Sequence, residues 1–273
     1  MRLDVSGRSD VGRVRGNNED NFKLVPELNL FVLSDGMGGE AHGEVASQLA
    51  VETVVQYCKA AMNGKAPTPL GPSQPDLQTK TNHLINAIRL ANKTIYDAAQ
   101  EDAAKKGMGA TVVSIWVEGE RLCVAHVGDS RVYLMRGTDL QQLTEDHSLV
   151  AEQVRRGIIT PEQAKNSKMQ SVLLRALGIE EEVEIDASEH LLMDGDAILL
   201  CSDGLDRMVT DEEIASALLT TPGAQPATDR LIELALEGGG EDNVTVVLLR
   251  VMRSDGGFLL KLWRWLNEPL GSN

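Results

Sequence analysis

In four places this chain sets an acid against an apolar run, and acids so placed can do together what none could do alone. Leu30-Phe31-Val32-Leu33-Ser34 runs into Asp35-Gly36, and Ala197-Ile198-Leu199-Leu200-Cys201-Ser202 runs into Asp203-Gly204. Leu122 to Val127 leads into Gly128-Asp129-Ser130, and three glycines at 238–240 lead through Glu241 to Asp242-Asn243 and the apolar run Val244 to Val251. A single Asp-Gly is a common turn signal. Repeated at the ends of strand-like runs, it puts carboxylates where buried strands leave a core, and such carboxylates repel one another unless a cation lies between them. The pattern therefore predicts a hard-metal site. Ligation by carboxylates without histidine suits Mg²⁺ or Mn²⁺ better than Zn²⁺.

A fifth segment, Arg15-Gly16-Asn17-Asn18-Glu19-Asp20-Asn21, joins a guanidinium to two acids. In an extended chain these project from one short stretch, so the carboxylates can address waters of a metal while Arg15 takes a substrate anion. The planar fork of arginine is suited to phosphate.

Strands are predicted over Asn29 to Ser34, for a hairpin of Ala110 to Val117 and Arg121 to Val127, and for a second hairpin of Arg131 to Arg136 and Leu140 to Leu143. Val183 to Ala187, Ala197 to Cys201 and Val244 to Val251 complete the set. Short hairpin links imply antiparallel sheets. Helical spacing recurs in Leu49, Thr53, Val54, Tyr57 and Ala61 and again in Leu84, Ile88, Ala91, Ile95 and Ala98, predicting an antiparallel helix pair. Between them, Pro67, Pro69, Pro72 and Pro75 mark residues 64–79 as an extended surface loop. Thr160-Pro161-Glu162 starts a short helix, Thr210 and Glu213 form a capping box, and Asp229 to Glu237 is a further helix. Strands, an inserted helix pair, then more strands and late helices argue α+β.

With 273 residues, one large domain or two small ones fit. The formal charge of −15 opposes binding of nucleic acid or anionic lipid, so a phosphate-handling site would need locally held cations. Cys58, Cys123 and Cys201 are odd in number and far apart, which fits a reducing cytoplasm. The start, Met1 to Ser6, lacks the apolar stretch of a signal peptide, and no run is long enough to span a membrane.

Taken in order, Arg15 to Asp20, Asp35-Gly36-Met37-Gly38-Gly39, Gly109-x-Thr111, Gly128-Asp129-Ser130-Arg131, Ser202-Asp203-Gly204-Leu205 and Asp242-Asn243 resemble the metal-dependent Ser/Thr phosphatases of the protein phosphatase 2C type, in their bacterial form. The resemblance spans roughly residues 5 to 252. It implies a sandwich of two mostly antiparallel β-sheets flanked by antiparallel helix pairs, in four α-β-β-α layers, and two or three Mn²⁺ or Mg²⁺ ions. By the same resemblance Asp35, Asp203 and Asp242 would ligate the first ion, and Asp35 and the Gly36 carbonyl the second. Asp20 and Glu19 would hold waters of that second ion, and Asn243 belongs to the same motif. Asp129 and Asp203 resemble a third site, to which Ser171 would add a carbonyl. Arg15 would bind the phosphate of phosphoserine or phosphothreonine, attacked by a metal-bridging hydroxide. The implied partners are phosphorylated proteins, a Ser/Thr kinase and its targets, met by a monomer. In place of the histidine that animal members carry after Asp-Gly stands Met37, which leaves the general acid unassigned; His42 is a weak candidate and His147 reads as structural. Residues 146–171 correspond to the variable flap, where choice of substrate would reside.

Two other readings compete. Cys201 and Arg207 satisfy the Cys-x5-Arg pattern of cysteine-dependent phosphatases, but two acids in the loop oppose a thiolate there. A catalytically silent regulator or phosphoprotein-binding module would have lost a metal carboxylate, and none is missing. The catalytic domain is thus set at residues 1–253. The tail, 254–273, carries Trp263 and Trp265 and is expected to dock a partner or a membrane surface, or to fold back.

Overall fold

The computed structural model describes residues 1–38 and 42–252, so the expected docking tail lies outside the described residues. In chain order the elements are β1 (Arg2–Asp10), β2 (Asp20–Val25), β3 (Leu30–Met37), α1 (Gly43–Met62), α2 (Thr79–Glu101), β4 (Gly109–Ala110), β5 (Val112–Glu118) and β6 (Arg121–Val127). There follow β7 (Arg131–Arg136), β8 (Asp139–Gln142), α3 (Leu149–Arg155), α4 (Pro161–Lys165), β9 (Asp186–Leu191), β10 (Ala197–Cys201), α5 (Asp203–Asp206), α6 (Asp211–Thr220), α7 (Ala224–Glu237) and β11 (Val244–Met252).

The strands form two sheets, β1-β11-β10-β7-β8 and β2-β3-β5-β6-β9, with β4 added beside β3. Every pairing is antiparallel. Because side chains alternate along a strand, each sheet has two apolar faces to cover. Phe31 and Leu33 of β3 meet Ile198 and Leu200 of β10 and Val247 and Leu249 of β11 in a core between the sheets. Leu30 and Val32 point the other way, to α1 and α2 through Ala50, Val54, Leu84 and Ile88. On the far side, Leu199, Val246 and Leu248 pack on Ile214, Leu231 and Ile232 of α6 and α7. The result is the four-layer α-β-β-α sandwich expected. Residues 64–77 are an irregular loop, as their prolines require.

Three features differ from the sequence reading. Neither β1 nor β2 was expected, since β1 offers only Leu3 and Val5 to the core and β2 begins inside the charged segment. The strand expected over Val183 to Ala187 instead runs from Asp186 to Leu191. Its partner explains the shift: β9 pairs with β6 from Arg121↔Leu191 to His126↔Asp186, and β6 ends one residue later. Helix α7 starts at Ala224, five residues before the expected Asp229, behind Gly223 at φ 88°.

Candidate metal centre

The same alternation that builds the inter-sheet core delivers acids to its end. In β3, Asp35 continues the row of Phe31 and Leu33, and in β2, Asp20 continues the row of Phe22 and Leu24. The two acids are direct cross-strand partners. Ser202, just past β10, and Thr245 of β11 continue the inward rows of the facing sheet. They close on Asp20: the Ser202 hydroxyl donates to its Oδ2 at 2.8 Å and the Thr245 hydroxyl at 2.7 Å. This fixes the carboxylate, while Asp20 Oδ1 is buried without a partner.

Asp203 opens the short helix α5, capped at Ser202, and Asp242 stands just before β11. Asp203 Oδ1 is also buried and unpartnered. Asn243, itself buried, holds the Arg15-to-Asp20 segment against this edge: its amide donates to the carbonyls of Val11 (2.9 Å) and Asn17 (2.8 Å), and its Oδ1 accepts the Glu19 N–H (2.8 Å). Arg15 Nη2 lies 2.8 Å from Asp242 Oδ2. Glu19 is half-buried, with its carboxyl group raised by burial and by Glu44.

Close approach explains two glycines of the motif. A Cβ on Gly36 would lie 2.1 Å from the Gly43 carbonyl oxygen, and one on Gly204 would lie 2.0 Å from that of Asn243. Neither position has room for a side chain. Thr111 binds the Asp35 strand from the side, its hydroxyl accepting the Asp35 N–H at 3.0 Å and sharing a hydrogen with Ser130 Oγ at 2.7 Å.

Gathered without counter-ions, the acids hold protons abnormally well. Burial, with Asp203 and Asp242 adding repulsion, pushes the Asp20 carboxyl up to about 7. Burial and then Asp20 and Asp203 hold Asp35 well above the usual carboxylate range. Asp129 is raised in the same sense by burial and Asp203, and Asp203 by burial and Asp242, against the opposing pull of Arg207. Mutually destabilised carboxylates with open, buried oxygens are a fit for a hard cation.

The structure thus brings Arg15, Glu19, Asp20, Asp35, Gly36, Asp203, Asp242 and Asn243 to one end of the sandwich, with Asp129 joined to Asp203 through Arg207. Ser171 is exposed and follows Gln170, which edges the cavity lined by Asp129 and Asp203. His42 pairs with Glu44 at 3.5 Å, and His147 is buried beside Gly128. Cys201 is fully buried in β10, and burial raises its thiol well above the ordinary range, opposite to the need of a nucleophile. The sequence reading gave Ser202 no role beyond its place in the Ser-Asp-Gly motif and missed Thr245; each continues a row of alternate inward residues. It gave Arg207 only to a rejected motif.

A four-layer α-β-β-α sandwich that gathers carboxylates at one end defines the class of protein to which the chain is similar. The profile of the family Protein phosphatase 2C matches residues 13–236. The chain is 41% identical over 255 residues to the serine/threonine protein phosphatase PstP of Mycobacterium tuberculosis, covering 93% of this chain and 46% of PstP. It is 38% identical over 245 residues to the serine/threonine phosphatase stp of Listeria monocytogenes, covering 89% and 93%. A crystal structure of the PstP catalytic domain with two manganese ions superposes with a TM-score of 0.76 at 41% identity, over 92% of this chain and 98% of that one. The chain belongs to the protein phosphatase 2C family. It spans about half the length of the PstP proteins it matches. Among the described residues no helix is long and apolar enough to cross a membrane.

Proposed function

We propose that this chain is a Mn²⁺- or Mg²⁺-dependent phosphatase acting on phosphoserine and phosphothreonine in proteins, with residues 1–253 as the catalytic unit. The observation that carries the reading is the pair of buried, unpartnered oxygens, Asp20 Oδ1 and Asp203 Oδ1, amid acids whose protons are held abnormally tightly. Asp35, Asp203 and Asp242 would hold one ion, and Asp35, the Gly36 carbonyl and Asp20 a second. Two such ions lower the pKa of water and neutralise charge on a transferring phosphoryl group.

The chain's own residues supply the rest. The Ser202 and Thr245 hydroxyls orient Asp20 by occupying one of its oxygens. Thr111 fixes the backbone of Asp35, and the Asn243 N–H donates to Asp242 Oδ1 at 2.8 Å and holds that carboxylate. Arg15, with a side chain 54% exposed, can turn from Asp242 to a phosphate dianion at the mouth of the site, giving two parallel hydrogen bonds. The flap residues α3 and α4 border the cavity beside Asp129 and Asp203, where the chain around the phosphoresidue would lie. Substrates would be the targets of a Ser/Thr kinase, and the tail at 254–273 would serve docking.

The test is hydrolysis of phosphothreonine and phosphotyrosine peptides by dialysed protein, with and without Mn²⁺. We expect phosphothreonine turnover that requires the added ion. Full turnover in excess chelator rejects the metal mechanism, and binding of phosphopeptide without turnover at any Mn²⁺ concentration favours a silent module.

A further inference from the structure

Asp129 and Asp203 lie at the ends of different strands, yet one side chain reaches both. Arg207 Nη2 is 2.5 Å from Asp203 Oδ2 and 3.8 Å from Asp129 Oδ2. One helical turn creates the contact: the Arg207 N–H bonds the Asp203 carbonyl at 3.1 Å, which sets the guanidinium over the carboxylate four residues back. Asp203 is thereby divided, with Oδ2 given to the arginine and Oδ1 left open. The other nearby guanidinium cannot take this place, because Arg131 is held by Asp146 at 2.6 Å and by Asp206 at 2.9 Å.

We propose that Arg207 is a built-in cation of the acidic centre, bridging Asp129 and Asp203 when no divalent ion does, so that an ion enters this end only by displacing it. The proposal rests on the reading of Asp203 as a metal ligand. A guanidinium and a divalent cation satisfy a carboxylate pair in the same way, and their mutual repulsion prevents both from sharing it. Space for the displaced side chain exists. A cavity of about 280 Å³ opens beside Arg207, lined by Asp211 and by Asp206, whose Oδ1 is buried without a partner and can receive the guanidinium. Its side chain is 23% exposed, so the swing needs no unfolding of the core. An ion between Asp129 and Asp203 would therefore bind more weakly here than the same acids could hold it alone.

The experiment is Mn²⁺ binding to the full chain, read from free Mn²⁺ by electron paramagnetic resonance across a titration. For Arg207→Gln we expect one ion to bind about tenfold more tightly than the weakest ion of the wild type, equivalent to ~1.4 kcal/mol. Arg207→Lys, which keeps the charge, should hold that ion weakly. Adding Asp129→Asn to Arg207→Gln should remove the gain, which locates it, and circular dichroism of each variant establishes that it is folded. If folded Arg207→Gln and wild-type isotherms superimpose, or if the gain survives Asp129→Asn, the proposal is overturned. Should Mn²⁺ binding in that case still be lost in Asp35→Asn, the metal-centre reading stands without it. A wild-type protein that binds no Mn²⁺ overturns both.

Discussion

Two polar clusters among the described residues are built from residue types that can ligate metals. In one, the rings of His126 and His147 stack at 4.7 Å, and with Asp186 they place three ligand atoms within 4.8 Å of one another. In the other, Asp20, Asp35 and Asp203 converge below Asp242 and Arg15. Their hydrogen bonds separate them. His147 Nδ1 accepts the Gly128 N–H at 3.2 Å, its Nε2 faces Asp186 at 3.3 Å, and His126 Nε2 meets the Glu145 carbonyl at 2.9 Å. Arg175 closes the group by pairing with Asp186 at 2.9 Å, so a cation there would have to expel an arginine. In the acid centre, Oδ1 of Asp20 and of Asp203 remain open. Leaving such an atom unpaired costs about 1–3 kcal/mol, a cost that a bound cation would relieve. Closure of the histidine group serves the fold instead. His147 bonds Gly128 through its N–H (3.0 Å) and Leu174 through its carbonyl (2.7 Å), clasping both ends of the flap to the turn that carries Asp129.

The sharpest way to break this contrast sets Asp203 against Cys201, two residues away. Asp203→Asn should lower phosphopeptide turnover by more than about 100-fold, beyond the 10- to 100-fold typical of outer partners of a metal. Cys201→Ser places a hydroxyl in an apolar strand position and should lower stability by about 1–2 kcal/mol while the folded fraction stays active. Folded but inactive Cys201→Ser alongside fully active Asp203→Asn would invert the assignment.

Next in size is Arg15→Ala. Loss of a charge-assisted phosphate contact should reduce kcat/KM for a phosphopeptide by about 1.5–3 kcal/mol, mostly through KM. Unchanged kinetics would reduce Arg15 to a surface partner of Asp242. Ser202→Ala tests the orientation of Asp20 rather than its charge. It removes a hydroxyl that both donates to Asp20 and accepts the Thr245 N–H (2.9 Å), and Mn²⁺ should bind roughly 10-fold more weakly. A Mn²⁺ isotherm identical to wild type would leave Ser202 as a strand-end residue only.

Most of the acid centre was legible because its strands are buried on both faces and announce themselves as continuous apolar runs ending in Asp-Gly. The strands β1 and β2 were not, since each shows one apolar row only: Leu3 and Val5, or Phe22 and Leu24. Their pairing is decided by β11 and β3, which lie far along the chain or across a turn. The hydroxyls on Asp20 come from the end of β10 and from β11, in the sheet that faces β2, so no local pattern could show that they meet it. Arg207 was visible as a residue, but its partner Asp129 became apparent only once the ends of β6 and β10 met.

The smallest effect, and the one that compares the two clusters directly, is the dependence of stability on pH. Without ions, Asp20 rises from 3.8 to about 7, chiefly through burial, so the folded state holds its proton more tightly than the unfolded state. Its contribution is full at low pH and is lost as pH climbs through that interval. His147 moves the other way, from 6.5 down to about 4, through burial and its neighbour His126. Its contribution is full above 6.5 and is lost as pH falls toward 4. The clusters therefore oppose each other between about pH 4 and 7 in the ion-free protein, and because Asp35, Asp129 and Asp203 are raised together with Asp20 the acids outweigh the imidazole, so Tm should fall as pH rises there. Mn²⁺ bound at the acids would take the place of their protons and reverse their slope, leaving the histidine group as it was. With Mn²⁺ the Tm should rise clearly over the same interval, and His147→Asn should make that rise shallower without abolishing it. Identical Tm profiles with and without Mn²⁺ would mean that the acids are not where the ion binds, and an unchanged slope in His147→Asn would show that the imidazole does not titrate with folding.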